Sequence, residues 1–342
     1  MARRSAGWAL CCLAALAGCA GTPSSQPDPA RVAELREEQL QAALTGWLAD
    51  RARLQRVAYR LFGANAAVCG ASVSNLPEAL WLTRRDFPEP LRRVAEDSGY
   101  SDLPRVVALL GNAQAGGATT IRAGDVIVAV MGHRLLSSRR ADRQLTERLA
   151  AFEPPASDAL MLSVQRAQRQ IEVPLSVRRG CRFDLKLARA DAINAYADGS
   201  GISVTRGMMR FVVNDDELAF VIAHEMAHNL THSLPKRLLA GLSERFAVVG
   251  GAVYRAATLG RLAPLAPRTY AQVLEVQADH LALRYLRAAD YDTAAVVDFW
   301  RRLGALHPRS VAPGYVHSHP TSPERLARLE QQLLTSEQAV PR

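Results

Sequence analysis

The chain has 342 residues, 49% hydrophobic and 22% charged, so it is long enough to bury a sizeable core in two or three domains. Its formal net charge is +9, with 42 Lys and Arg against 33 Asp and Glu, and the only lysines are Lys186 and Lys236. The arginines are scattered through an alanine-rich sequence without basic clusters or interleaved aromatics, which argues against a nucleic-acid partner.

At the N-terminus, Arg3 and Arg4 precede an apolar run from Trp8 to Ala17, too short for a membrane-spanning helix and suited to a signal peptide. The run ends Leu16-Ala17-Gly18-Cys19, which resembles the lipobox of bacterial lipoproteins. The resemblance implies that residues 1–18 are a signal peptide and that the Cys19 thiol carries lipid. Ala20, rather than Asp, follows the cysteine; the same resemblance then implies a cell-envelope protein, lipid-anchored at the periplasmic face of an outer membrane. Residues 19–30, rich in Pro, Ser, Thr and Gln, read as a flexible tether. Cys11 and Cys12 leave with the signal, so Cys69 and Cys181 remain. In an oxidising compartment this pair could form a disulfide; two buried free thiols are the alternative, because spacing does not show whether they meet.

Residues 31–83 read as an N-terminal helical segment of the main body. Val32, Leu35, Leu40, Ala43, Leu44, Trp47 and Leu48 recur at helical spacing, which predicts one long amphipathic helix running towards Leu61 with its apolar stripe in the core, a membrane surface being the alternative. Residues 84–178 differ in texture. Arg105–Leu110 and Asp125–Val130 read as strands, Ala141–Phe152 as a helix, and Leu160–Arg166 and Gln170–Val177 as paired strands. A small-residue turn, then Gly124-Asp125, the apolar Val126–Val130 and Gly132, resembles PDZ domains. That implies a small β domain that adds an extended segment or C-terminus along a groove; a spacer or lid is the alternative. A Cys69–Cys181 bridge would staple the base of this insert and make the early helix and the C-terminal half one discontinuous domain.

Within residues 179–342, Gly199 and Gly201 mark a turn ahead of Ile202, Ser203, Val204 and Thr205, which alternate as a strand. This strand is a candidate edge for an extended substrate backbone, or a purely structural one. Next comes Asn214–Thr231, in which Asn214 and Glu217 form a capping box for an apolar helix carrying His224-Glu225-x-x-His228. Residues four apart on a helix share a face, so the two imidazoles converge as metal ligands, and Glu225 beside the first can act as general base on a water. A third ligand belongs on another helix. Tyr270–Leu286 places Glu275 and Asp279 four apart among apolar neighbours, Glu275 able to bind the metal and Asp279 able to accept the second N–H of a ligand histidine. Between these helices Leu238–Leu262 is rich in Ala, Val, Leu and Gly, but Glu244, Arg245 and Arg255 leave no stretch able to cross a bilayer; it reads as a helix pair or flap.

Together with Ser318-His319-Pro320 and Arg325, and with Asn194-Ala195-Tyr196-Ala197 before the Gly turn, the pattern resembles the Ste24- and HtpX-like M48 family of zinc metallopeptidases. The resemblance implies one Zn2+ per chain on His224, His228 and Glu275, with Glu225 as base and Asp279 orienting a ligand. His319 would lie near the metal, either stabilising the oxyanion or capping the open position, and Arg325 would anchor its loop. The fold expected is α+β: a mainly helical zincin-type domain with a small edge sheet, plus an inserted PDZ-like β domain. The function expected is a zinc-dependent endopeptidase of the bacterial envelope acting on unfolded or misassembled envelope proteins. The alternative is a non-proteolytic chaperone or assembly scaffold with a latent or structural metal site.

Overall fold

In a computed structural model, which describes residues 26–111, 120–137, 140–153, 159–231, 268–311, 319 and 322–338, the chain starts on one long helix, α1 (Pro29–Ala64). Asp28 caps it by accepting the Ala30 N–H, and Pro29 needs no partner at the first helical position. The apolar stripe is buried only from Leu44 and Trp47 onward, through Leu54, Val57, Leu61 and Phe62. Val32 and Leu35 are both 39% exposed, so the expected core packing does not reach the first turns.

A β body follows: β1 (Val73–Pro77), β2 (Ala79–Leu82), α2 (Glu89–Asp97), β3 (Arg105–Leu109), β4 (Val126–Val130), β5 (His133–Arg134), α3 (Ala141–Ala151), β6 (Ala159–Arg166) and β7 (Arg169–Cys181). The antiparallel strands run in the order β1-β7-β6-β4-β3-β2, with the short β5 on β4. β1 and β2 are the two halves of one bent strand. At the bend the Glu78 N–H donates to Ser176 O, and Glu78 O accepts from the Leu110 N–H, so the sheet closes on itself. Leu145 and Leu149 of α3 fill its interior against Ile127, Leu160, Leu162, Val173 and Leu175. The Gly-Asp pair ahead of β4 is structural: Gly124 has φ +93°, and buried Asp125 accepts the Arg122 N–H and two bonds from Arg166.

The sheet therefore runs from Val73 to Cys181, not from 84 to 178. Pro77 interrupts the strand pattern of Val73–Leu82, and buried Asn75 breaks its alternation; Asn75 donates instead to Leu149 O and Phe152 O at the end of α3. Cys69 and Cys181 are joined, with Cα atoms 5.5 Å apart, at the base of this body.

The C-terminal half contains β8 (Asp184–Ala188), β9 (Ala195–Ala197), β10 (Gly201–Thr205), α4 (Arg206–Phe211), α5 (Asp215–Thr231), α6 (Arg268–Ala288), α7 (Ala295–Leu306), α8 (Pro308–Val311) and α9 (Pro323–Gln338). Its sheet has the order β8-β10-β9, with β10 parallel to β8 and antiparallel to β9. Ile202, Ser203, Val204 and Thr205 thus lie on the central strand, paired on both sides and buried, and cannot be a substrate edge. α5 is apolar on nearly every side, as a helix at the centre of a domain must be. It packs on α6 and α7 through Ile222, Met226, Ala282, Leu286 and Phe299, with Val57 and Leu61 of α1 in the same core. Residues 1–18, Cys19, the run Leu238–Leu262, and Ser318, Pro320 and Thr321 lie outside the described residues. Among the described residues no helix is long and apolar enough to cross a membrane.

Candidate metal centre

Local signals fix the start of α5. Asn214 Oδ1 accepts the Glu217 N–H at 2.9 Å. The Glu217 carboxylate reaches one residue further back than a capping box requires, to the Val213 N–H at 3.0 Å, and pairs with Arg302 of α7 at 2.6 Å. Three turns on, His224, Glu225 and Asn229 are each no more than 5% exposed, while His228 borders the surface. Asn229, which sequence reasoning passed over, binds the turn between β9 and β10 twice: Nδ2 donates to Gly201 O at 2.9 Å and Oδ1 accepts the Gly199 N–H at 2.7 Å. An amide on a buried helix face must find such partners, and that was the available signal.

His224, His228, Glu275 and His319 converge, one ligand atom from each lying within 4.8 Å of the others. His224 Nε2 stands 3.0 Å from His228 Nε2, 3.1 Å from His319 Nδ1 and 3.4 Å from Glu275 Oε2. Glu275 Oε1 is 3.3 Å from His228 Nε2, and Oε2 is 2.8 Å from His319 Nδ1. With bonds of about 2.0–2.1 Å to a tetrahedral zinc, ligand atoms stand about 3.3 Å apart, so the spacing fits that ion. Behind the cluster, Asp279 Oδ1 lies 3.0 Å from His224 Nδ1, and the Asp279 carboxylate accepts two bonds from Arg325, Nη2 to Oδ1 at 2.6 Å and Nε to Oδ2. Arg325 also places Nη1 2.9 Å from Glu275 Oε2, and its guanidinium lies 4.2 Å over the Trp300 ring. Glu225 Oε1 is 3.2 Å from His319 Nε2.

The electrostatics agree with a dication. Burial raises the Glu275 carboxyl, but the charges of His319 and Arg325 outweigh it and hold the group well below its usual range. Burial likewise opposes ionisation of Asp279, where Arg325 prevails, and of Glu225, which the His319 charge and hydrogen bond bring down to about 2. Burial would lower the His224 imidazole, yet its bonds to Asp279 and Glu275 lift it to about 9. On His228 burial wins and the pKa falls. Protonated imidazoles are among the counter-charges behind these shifts; a metal takes neutral imidazoles, and three carboxylates against one guanidinium then leave two negative charges for a divalent cation to balance.

Seven residues singled out in the sequence, His224, Glu225, His228, Glu275, Asp279, His319 and Arg325, thus form one cluster from α5, α6, His319 ahead of α9 and the first turn of α9. The profile of Peptidase family M48 matches residues 161–333, half of the chain. The chain belongs to this family. M48 peptidases are zinc-dependent, in keeping with the donor set. Relatives include the mitochondrial metalloendopeptidase OMA1 of Schizosaccharomyces pombe, 24% identical over 192 residues that cover 52% of this chain and 55% of that protein. The OMA1 proteins of Arabidopsis thaliana and Bos taurus are 24% and 27% identical over 44% and 40% of the chain. The chain spans 32% and 30% of their lengths.

Proposed function

We propose that this M48 protein is a zinc-dependent endopeptidase that cuts extended segments of unfolded or misassembled proteins in a bacterial cell envelope. The observation that carries the reading is the set of four converging donor atoms with Glu225 beside them. Zinc held by His224, His228 and Glu275 would supply Lewis acidity and make a bound water easier to deprotonate. Glu225 takes the water's proton and returns it to the leaving amine. Asp279 and Arg325 keep the His224 ring and the Glu275 carboxylate in place. His319, whose Nδ1 lies among the donor atoms and whose Nε2 touches the Glu225 carboxylate, would occupy the place of the attacking water and so act as a gate that must swing away before water and substrate enter.

The substrate strand lies along β9, the end strand of the three-stranded sheet, whose turn into β10 is tied to the metal helix by Asn229. The lipobox around Cys19 supports a lipid-anchored envelope location. The β body, with its Gly124-Asp125 strand and its α3 packing, is read as PDZ-like and as the part that first engages clients.

Cleavage of an unfolded protein by the chain beginning at Ala20, compared with Glu225→Gln at equal zinc content, tests the reading. Loss of all cleavage in the variant with zinc retained is expected. His319→Ala should raise the wild-type rate about tenfold if the gate is closed nine-tenths of the time. Zinc loading without cleavage even in His319→Ala would favour the scaffold reading instead.

A further inference from the structure

The phase of the β9–β10 ladder fixes which groups of β9 a substrate can reach. The Asp198 N–H donates to Gly201 O at 3.2 Å and the Thr205 N–H to Asn194 O at 3.1 Å, both in the register that sets Tyr196 against Ser203. Bonded pairs alternate along an antiparallel ladder, so Asn194, Tyr196 and Asp198 direct their backbone groups at β10. Ala195 and Ala197, the residues between, turn their N–H and C=O to the other side, where no strand pairs with β9 among the described residues. An extended substrate therefore bonds to two alanines and lies one strand spacing, about 4.8 Å, from Tyr196.

Side chains follow the same period. Ala195 shares the core on the α5 side with Ile202 and Val204, so Tyr196 faces the opposite side of the sheet, with Asn194 and Asp198 as its neighbours there. The substrate side chain beside Tyr196 stands on that face, next to the half-buried phenol ring. Its diagonal neighbours are Asn194 and Asp198. The Asp198 carboxylate accepts the Ser200 N–H at 2.9 Å and the Gly201 N–H at 2.7 Å, which holds its negative charge in the turn. Lys186, in register with Ser203 on β8, is three strand spacings from the substrate, about 14 Å, and out of reach. We infer that Tyr196 is a specificity-determining residue: it selects an aromatic or β-branched side chain at the substrate position beside it, and Asp198 disfavours Asp or Glu there. The two flanking substrate residues pass over the methyl groups of Ala195 and Ala197, which discriminate far less. This rests on the peptidase reading and on β9 as the substrate edge, and adds a preference that neither contains.

The test is a library of unstructured decapeptides, cut by wild type, Tyr196→Phe and Tyr196→Ser, with cleavage positions read by mass spectrometry. Wild type should favour aromatic or β-branched residues over Ser up to about fivefold at one fixed position relative to the cut, the upper range for a cross-strand pair with an aromatic. Tyr196→Phe should keep that preference, and Tyr196→Ser should lose it at that position alone. A purely structural loss would slow the cutting of every sequence alike and leave the preference in place. Absence of the preference at any single position, or its persistence in Tyr196→Ser, overturns the assignment while leaving the peptidase intact. Should no enzyme cut, two labelled decapeptides of Ala and Ser, one carrying a single central Phe, are titrated by fluorescence anisotropy into zinc-loaded Glu225→Gln. Tighter binding of the Phe peptide that vanishes with the added Tyr196→Ser change supports the assignment. Equal affinity, absence of binding included, or a difference that survives Tyr196→Ser, overturns it; the missing cleavage counts against the peptidase reading alone.

Discussion

Arg325 is a buried guanidinium with two carboxylates to hold. One of its faces rests on Trp300, whose ring replaces water as the neighbour of the charge. A desolvated cation–π contact contributes about 2 kcal/mol, and the ring also fixes where the planar fork can sit. Trp300→Leu should let Arg325 shift, loosen Glu275 and Asp279 together, and lower zinc affinity about tenfold in a chelator competition, whereas Trp300→Phe should keep most of it. Unchanged affinity in the leucine variant would assign Trp300 to packing alone. The ligands themselves were legible in the sequence because His224 and His228, and Glu275 and Asp279, each pair by helical spacing. Trp300 was not: a tryptophan on an apolar helix reads as core, and only the fold puts its ring under a charge.

The element that aims the metal helix at the sheet is Asn229. Its amide satisfies one N–H and one C=O of the turn between β9 and β10, both close to the domain interior. Asn229→Ala leaves these two groups without that partner, which should cost about 2–3 kcal/mol of stability and shift β9 relative to His228. Cleavage should then fall through a higher KM more than through kcat, since β9 holds substrate while the metal ligands stay on α5 and α6; an effect on kcat alone would contradict that division. That Gly201–Thr205 is a strand was evident from alternation, but its place in the sheet was not. Its second partner, β8, is parallel and lies across a connection that no local pattern encodes, so an expected edge proved to be the centre. Pro77 hid β1 and β2 in the same way, since a strand bent at a proline has lost the period by which strands are recognised.

At the scale of the whole molecule, α1 is the joint: Leu44, Trp47 and Ala52 at its middle pack against β2 and α2, while Leu54 to Phe62 near its end pack in the peptidase core, which also takes in the disulfide at the base of the β body. On the peptidase side Tyr291 fastens it, donating from Oη to Val57 O at 3.2 Å while the Arg60 guanidinium lies 4.1 Å over its ring. Burial pushes the Tyr291 hydroxyl up to about 12, against the opposing pull of Arg60. The folded state therefore binds this proton more tightly than the unfolded state does. Below about pH 10 the phenol is neutral in both states and the stabilising contact is complete; between about pH 10 and 12 the unfolded chain ionises first and stability falls. Two units correspond to about 2–3 kcal/mol, an upper bound because Tyr291 keeps some contact with solvent. Tyr291→Phe removes the titrating group, so its melting temperature, lower than wild type at pH 8, should decline less between pH 9 and 11. Parallel declines for the two proteins would mean that the joint is not where alkaline unfolding begins.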